Sequence, residues 1–328
     1  MKRLSIILAY VLLGMATVVA SFSLLTLTSS TAYASDSGYD YESDNQDAPS
    51  AASRNVNETR PAKADGEVRI DNLAGTVKIH GWDKNEVHVT GTLGSVVKRL
   101  EINSDDSGIS IKVVLPHNVH SDDCEECADI SIDVPAGSRV EASTVSADIE
   151  ARSLTGNARL GTVSGTLVLD STAARIDVHS ISGDVTVSGS AKNANITATS
   201  VSGGVHVTGV DGSLHAESVS GDVKVSDGHL TGAEMSSTSG NLTFRGSLSK
   251  GGDYEFHNVS GDVELGLGSS TSAHFDVSSF SGDIDNSFGP RPNRVSKYSP
   301  GMELHFTNGS GDAQLSARTL SGDIRIHD

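Results

Sequence analysis

The sequence predicts an all-β fold: a β-solenoid wound from coils of about 20 residues with two short strands each, right-handed by default. Three observations carry this. A Ser-Gly pair, usually followed by Asp and then by two apolar residues one apart, recurs nine times, as in Ile181-Ser-Gly-Asp-Val-Thr-Val187 and Val219-Ser-Gly-Asp-Val-Lys-Val225. The glycines (Gly165, Gly183, Gly203, Gly221, Gly240, Gly261, Gly282, Gly311 and Gly322) fall mostly 18 to 21 residues apart. Apolar residues alternate with polar ones on both sides of each pair, the period of a half-buried strand, and no segment after residue 35 sustains a helical period.

The elements follow in order. Residues 1–34 read as an export segment: Lys2 and Arg3, an apolar run from Ile6 to Leu25, then Ala32-Tyr33-Ala34 at the positions a signal peptidase reads. Cleavage after Ala34 and retention as an N-terminal membrane anchor are both open; either exports the rest. Residues 35–65, rich in Ser, Asp, Asn, Ala and Pro, have too little apolar surface to offset ordering entropy and are predicted to be a disordered acidic linker. Residues 66–145 are predicted to be irregular first coils, with alternating segments such as Val68–Ile70, Val87–Val89 and Ile130–Ile132. Residues 146–328 are the regular coils.

Stacking brings equivalent residues into columns. Val185, Val205, Val223, Leu242, Val263 and Ile284 form one inward column, since a single coil cannot bury its own apolar face. The turn residues Ser182-Gly183-Asp184, Ser220-Gly221-Asp222, Ser260-Gly261-Asp262 and Ser321-Gly322-Asp323 are assigned a structural role: a hydroxyl ladder, a bend and a cap. No serine of the column differs from the rest or has a base supplied beside it, as a nucleophile requires. A calcium roll would need paired glycines, and Thr166, Gly204 and Asn241 interrupt the Asp column, so capping is the simpler reading.

Two stretches break the pattern. Residues 117–127 hold the only cysteines, Cys124 and Cys127, with His117, His120 and four carboxylates. These are either a loop closed by a Cys124–Cys127 disulfide or, with His117 and His120, donors for Zn²⁺ or another transition metal. The flanking carboxylates disfavour a low-pKa thiol. Residues 286–300 place Arg291, Arg294 and Lys297 on a basic loop, either a partner contact or packing beside a C-terminal cap.

Removing residues 1–34 leaves 22 Lys and Arg against 42 Asp and Glu, a net charge of −20. This excludes nucleic acid and anionic membrane surfaces as natural partners and leaves membrane contact only to an uncleaved anchor. The last strand, Ile324–Ile326, has little sequence left to cover it, which would favour edge-to-edge self-association.

The segment Gly75-Thr-Val77-Lys-Ile79-His-Gly81-Trp-Asp83, the element Val134-Pro-Ala-Gly-Ser138 and the serial Ser-Gly-Asp turns together resemble the bacterial putative-adhesin domain family, a family of unknown function, over residues 66–328. The resemblance implies a β-solenoid exported to the envelope and brings no catalytic residues. The expected function is a non-enzymatic envelope protein in the periplasm or at the bacterial cell surface, presenting a rigid surface to a protein or glycan partner. The competing readings are a periplasmic metal-binding or sensing protein acting through residues 117–127, and a polysaccharide-active β-helix enzyme. The enzyme would need a positioned carboxylate pair and aromatic contacts, where this chain has one tryptophan, Trp82.

Overall fold

A computed structural model describes residues 53–116, 127–296 and 300–328. Alternating apolar residues form strands throughout, and no helix occurs among the described residues. The N-terminal part comprises β1 (Arg54–Pro61), β2 (Glu67–Trp82), β3 (Glu86–Leu93), β4 (Arg99–Ser104), β5 (Gly108–Val114), β6 (Ala128–Pro135) and β7 (Arg139–Leu154). Regular coils follow: β8 (Ala158–Thr162), β9 (Leu167–Ser171), β10 (Arg175–Ser180), β11 (Val185–Ser188), β12 (Ala194–Ser200), β13 (Val205–Thr208) and β14 (Asp211–Ser218). Two long strands, β15 (Val223–Ser239) and β16 (Leu242–Ser260), each serve two successive coils. The chain closes with β17 (Val263–Leu267), β18 (Ala273–Ser281), β19 (Ile284–Asn286), β20 (Asn293–Arg294), β21 (Met302–Asn308), β22 (Ala313–Ser321) and β23 (Ile324–His327).

Two parallel faces wind around one core. Face A stacks β8, β10, β12 and β14 on the second half of β15, and face B stacks β9, β11 and β13 on its first half. The predicted column is fully buried from Val185 through Val205, Val223 and Leu242 to Val263. Its neighbours Val187, Val207, Val225, Phe244 and Leu265 are equally buried. The core is therefore continuous, as coils that cannot bury their own faces require.

Coils do not stack in chain order at either end. The last coil, β22 and β23, lies one coil inside: β22 pairs with β16 on one side and β18 on the other, and β23 with β17 and β19. The first coil does the same, with β2 flanked by β7 and by the later strands β5 and β6. Antiparallel strands cover the outer coils: β4 on β5, β3 on β6, and β21 on β18. The expectation of an uncovered C-terminal strand is thus corrected. Ile324 and Ile326 pair on both sides and are buried, because the chain reverses through β21 and returns inside β18.

The linker boundary is corrected as well. Arg54–Pro61 is not part of a tether but an edge strand, antiparallel to β3 over its whole length. Its backbone supplies the pairing. Only Val56 packs on the core, and Arg54 donates to the Val97 carbonyl at 2.6 Å. A strand held by main-chain bonds at an edge needs little apolar sequence, which is why its composition reads as linker.

Candidate functional site

The same chemistry recurs at the corner where each coil passes from face A to face B. One coil shows its order: Ser180 buried, Ile181 half-buried, Ser182 exposed, Gly183 buried, Asp184 exposed. Each position forms a row along the solenoid.

The innermost row is the hydroxyl ladder. Ser180, Ser200 and Ser218 accept the N–H of the glycine three residues on, at 2.8, 2.9 and 2.9 Å. Ser200 and Ser218 also donate to the glycine carbonyl one coil back, Gly183 at 3.0 Å and Gly203 at 2.9 Å. Thr162, Ser237, Asn258 and Ser279 extend the row. The ladder predicted on Ser182, Ser220, Ser260 and Ser321 therefore stands two residues upstream, and those four serines are exposed. Ser180 still obeys strand alternation and faces inward, whereas Ser182 lies in the bend, where the chain swings its side chain out. The signal lies in the sequence as Ser-x-Ser-Gly, whose first serine is the inward one. Gly183 is required because an added Cβ would sit 1.8 Å from the Gly165 carbonyl oxygen.

The Asp row caps from coil to coil. Asp148 Oδ1 accepts the Thr166 N–H at 2.7 Å, Asp184 that of Gly204 at 2.7 Å, and Asp222 that of Asn241 at 2.7 Å. Asn241 then caps Asp262, Asp262 caps Asp323, and Asp323 caps Asp283. Thr166, Gly204 and Asn241, interruptions in the sequence, are neutral spacers. From Asp129 through Thr76, Asp148, Thr166, Asp184, Gly204, Asp222 and Asn241 to Asp262, carboxylates occupy every second coil. Carboxylates on adjacent strands, about 4.8 Å apart, would repel by roughly 1 kcal/mol even in water. Where alternation ends, Arg325 bridges Asp262 at 3.0 Å and Asp323 at 3.2 Å.

Between these rows runs an apolar ridge. Strand register aligns Leu73, Val145, Val163, Ile181, Val201, Val219, Thr238, Val259, Leu320 and Phe280. All are half-buried except Phe280, which is 55% exposed. None belongs to the core or to the partly buried apolar residues packed against it.

The other candidate residues are dispersed. Ser310-Gly311-Asp312 looks like a coil bend but is the turn between β21 and β22. There the Ser310 hydroxyl, Lys250 and the Ser272 hydroxyl hold the Asp312 carboxyl down at about 2. Arg291 and Arg294 are exposed, and Arg294 pairs with Met302 in the short β20–β21 ribbon; Lys297 lies outside the described residues. Cys127 is fully buried, has no free thiol and aligns with Ala74 at the N-terminal end of the corner. His117, His120 and Cys124 lie outside the described residues. Among the described residues no group of three or more His, Cys, Asp and Glu side chains is arranged to hold a metal ion.

Face A carries a row of ion pairs, including Arg159–Asp177 at 2.9 Å and Arg318–Asp276 at 2.9 Å. At its centre His215 lies 3.2 Å from Glu234 and 3.6 Å from Glu217, which together raise it to about 9. Beside Arg318, the small Ser316 opens a dip of about 190 Å³ between Glu255 and Asp276. A glycosidase sets one of its carboxyls in an apolar pocket. Here Glu255 faces His257 at 3.2 Å, and Asp276 faces both Arg318 and His305. The single indole, Trp82, donates to the Glu86 carbonyl and stacks on His88, with Lys84 4.3 Å from its ring centre.

Comparison with known proteins adds a family. No curated protein matches the chain. Among solved structures, the chain is similar to a putative cell adhesion protein from Clostridium sporogenes ATCC 15579, at 9% identity over 84% of this chain and 99% of that one (TM-score 0.21). It is also similar to a putative adhesin from Parabacteroides distasonis ATCC 8503, at 11% identity over 83% and 97% (TM-score 0.37). A putative adhesin from Parabacteroides merdae ATCC 43184 matches at 10% identity over 83% and 96% (TM-score 0.29). Likenesses this distant carry no argument about activity. The Toastrack DUF4097 family model matches residues 43–249 and 217–327, nearly the whole described solenoid, and the chain belongs to that family.

Proposed function

We propose that the protein is a non-enzymatic, exported component of the cell envelope, a rigid β-solenoid that presents its corner for adhesion or envelope assembly. The observation that carries this is the corner itself: ridge, serine row and carboxylate row repeat in register from coil to coil. Such an array offers a long continuous contact, whereas catalysis calls for a single concave site with convergent groups.

Protease treatment of intact cells, with an opened-envelope control, tests the reading. The stretch between Ala34 and Arg54 is the expected cleavage point. Cleavage on intact cells would support surface presentation. Protection until the envelope is opened would sink adhesion and leave assembly within the envelope.

A further inference from the structure

We infer that the corner binds a cationic amphipathic polypeptide, its apolar stripe seated on the ridge and its Lys and Arg side chains on the carboxylate row. The inference rests on the surface-presenting role proposed above and names the chemistry of the partner. Three observations lead to it.

The ridge is an apolar surface that the fold does not use. Ile181, Val201 and Val219 stand on consecutive coils, outside the core, and Phe280 ends the row largely exposed. Nine strand spacings make the ridge roughly 43 Å long. The row is half-buried, interrupted only by Thr238 and largely exposed at Phe280. A run of apolar side chains left accessible in register on an acidic chain is a candidate interaction surface.

The bordering charge selects the occupant. Asp184 and Asp222 spend one carboxylate oxygen on the next coil's N–H, and neither has an ion-pair partner among the described residues. Two coils separate them, so free carboxylates recur about every 10 Å. A second copy of this chain would bring the same carboxylates and a net charge of −20 after loss of residues 1–34. An anionic membrane would be repelled in the same way. A polypeptide with an apolar stripe bordered by Lys and Arg satisfies both rows.

The exposed serines between ridge and carboxylates supply the third feature. Ser182, Ser202 and Ser220 carry no ladder function, and their hydroxyls face solvent beside the apolar row. They give a bound chain donors and acceptors without adding charge.

The test uses the purified protein and two labelled helical peptides of about 28 residues, long enough to span the ridge at 1.5 Å per residue. Both have leucine at the i, i+3, i+4 positions; one is flanked by Lys, the other by Glu. Fluorescence anisotropy should show binding of the Lys peptide alone, weakening with salt. Ile181→Ser/Val201→Ser/Val219→Ser should weaken it at least tenfold, and Asp184→Asn/Asp222→Asn about threefold at low salt. Should the triple variant lose its far-ultraviolet circular dichroism, Phe280→Ser at the exposed end should still weaken binding about twofold.

Equal binding of the Lys peptide by the ridge variants and the natural protein would overturn the inference, leaving charge alone. So would equal binding of the Glu peptide. A concentration-dependent dimer in sedimentation that the ridge variants abolish would assign the ridge to a second copy. Preferential binding to anionic phosphatidylserine vesicles would assign it to a membrane. Failure of peptide binding with retained protease cleavage on intact cells would remove this partner and leave surface presentation standing.

Discussion

Asp262 and Asp323 are 61 residues apart in the chain and neighbours in space: the Asp262 carboxylate accepts the Asp323 N–H at 2.9 Å. Asp323 in turn accepts the N–H of Asp283, which precedes it in sequence but lies beyond it in the stack. These two bonds record the insertion of the last coil between two earlier ones, and they govern how the C-terminal end responds to change.

Truncation after residue 312 should do more than shorten the solenoid. It removes Leu315, Ile324 and Ile326 from the core, each worth about 1.5–3 kcal/mol. It also leaves β18 and β19 without their inner partners. Hydrogen exchange should show lost protection across residues 263–286 as well as in the deleted strands. Exchange unchanged before residue 286 would refute the inserted order.

Arg325 answers the place in the Asp row where carboxylates stand on adjacent strands. Arg325→Ala leaves Asp262, Asp323 and Asp283 on adjacent strands with no cation between them. The melting temperature should fall, and fall further at low ionic strength. Asp262→Asn in the same background should recover part of the loss.

The two serines of one repeat should behave oppositely. Ser200→Ala removes a buried hydroxyl that accepts the Gly203 N–H and donates to the Gly183 carbonyl, and should cost about 1–3 kcal/mol. Ser202→Ala, two residues on and exposed, should stay within about 0.5 kcal/mol. Gly203→Ala would place a Cβ 2.2 Å from the Gly183 carbonyl oxygen and should cost about 1–3 kcal/mol or more. Chemical denaturation of the three variants checks the order.

His215 makes stability depend on pH. Hydrogen bonds that its ring N–H groups donate to Glu217 and Glu234 raise it from an ordinary 6.5 to about 9, so the folded state holds its proton more tightly. That contribution is complete below about pH 6.5 and is lost as pH rises through about 9. The melting temperature of the natural protein should therefore decline across this window relative to His215→Gln. Parallel profiles would show that the cluster does not couple to folding.

We expect no free thiol in the native protein and two after reduction, the outcome that a Cys124–Cys127 disulfide would give; Cys127 has no free thiol, and Cys124 lies outside the described residues. Zinc uptake through His117, His120 and these cysteines is expected only after reduction, and only weakly. Stoichiometric zinc in the oxidised native protein would overturn that order, and Cys124→Ser/Cys127→Ser should abolish uptake by the reduced form.

The solenoid, its coil length, its core columns and the capping role of Asp were legible in the sequence, because each follows from local alternation and from a turn that recurs with one composition. Ile181-Ser182-Gly183-Asp184 dictates a bend wherever it stands. What neighbours that bend is not local. Ser310-Gly311-Asp312 has the same residues and joins β21 to β22 instead, and Ile324 pairs with Val263 because the chain reverses through β21 before returning. Parallel pairing asks only for an open edge in register, so many coil orders satisfy the same local pattern. The carboxylate alternation and the apolar ridge likewise appear only once register aligns Asp148 with Thr166 and Ile181 with Val201. Local alternation and a recurring turn are enough to form the coils and to dictate what each one buries. Which coils touch, and with them the surface chemistry, depends on the assembled stack, because spacing there is set by strand pairing and not by distance along the chain.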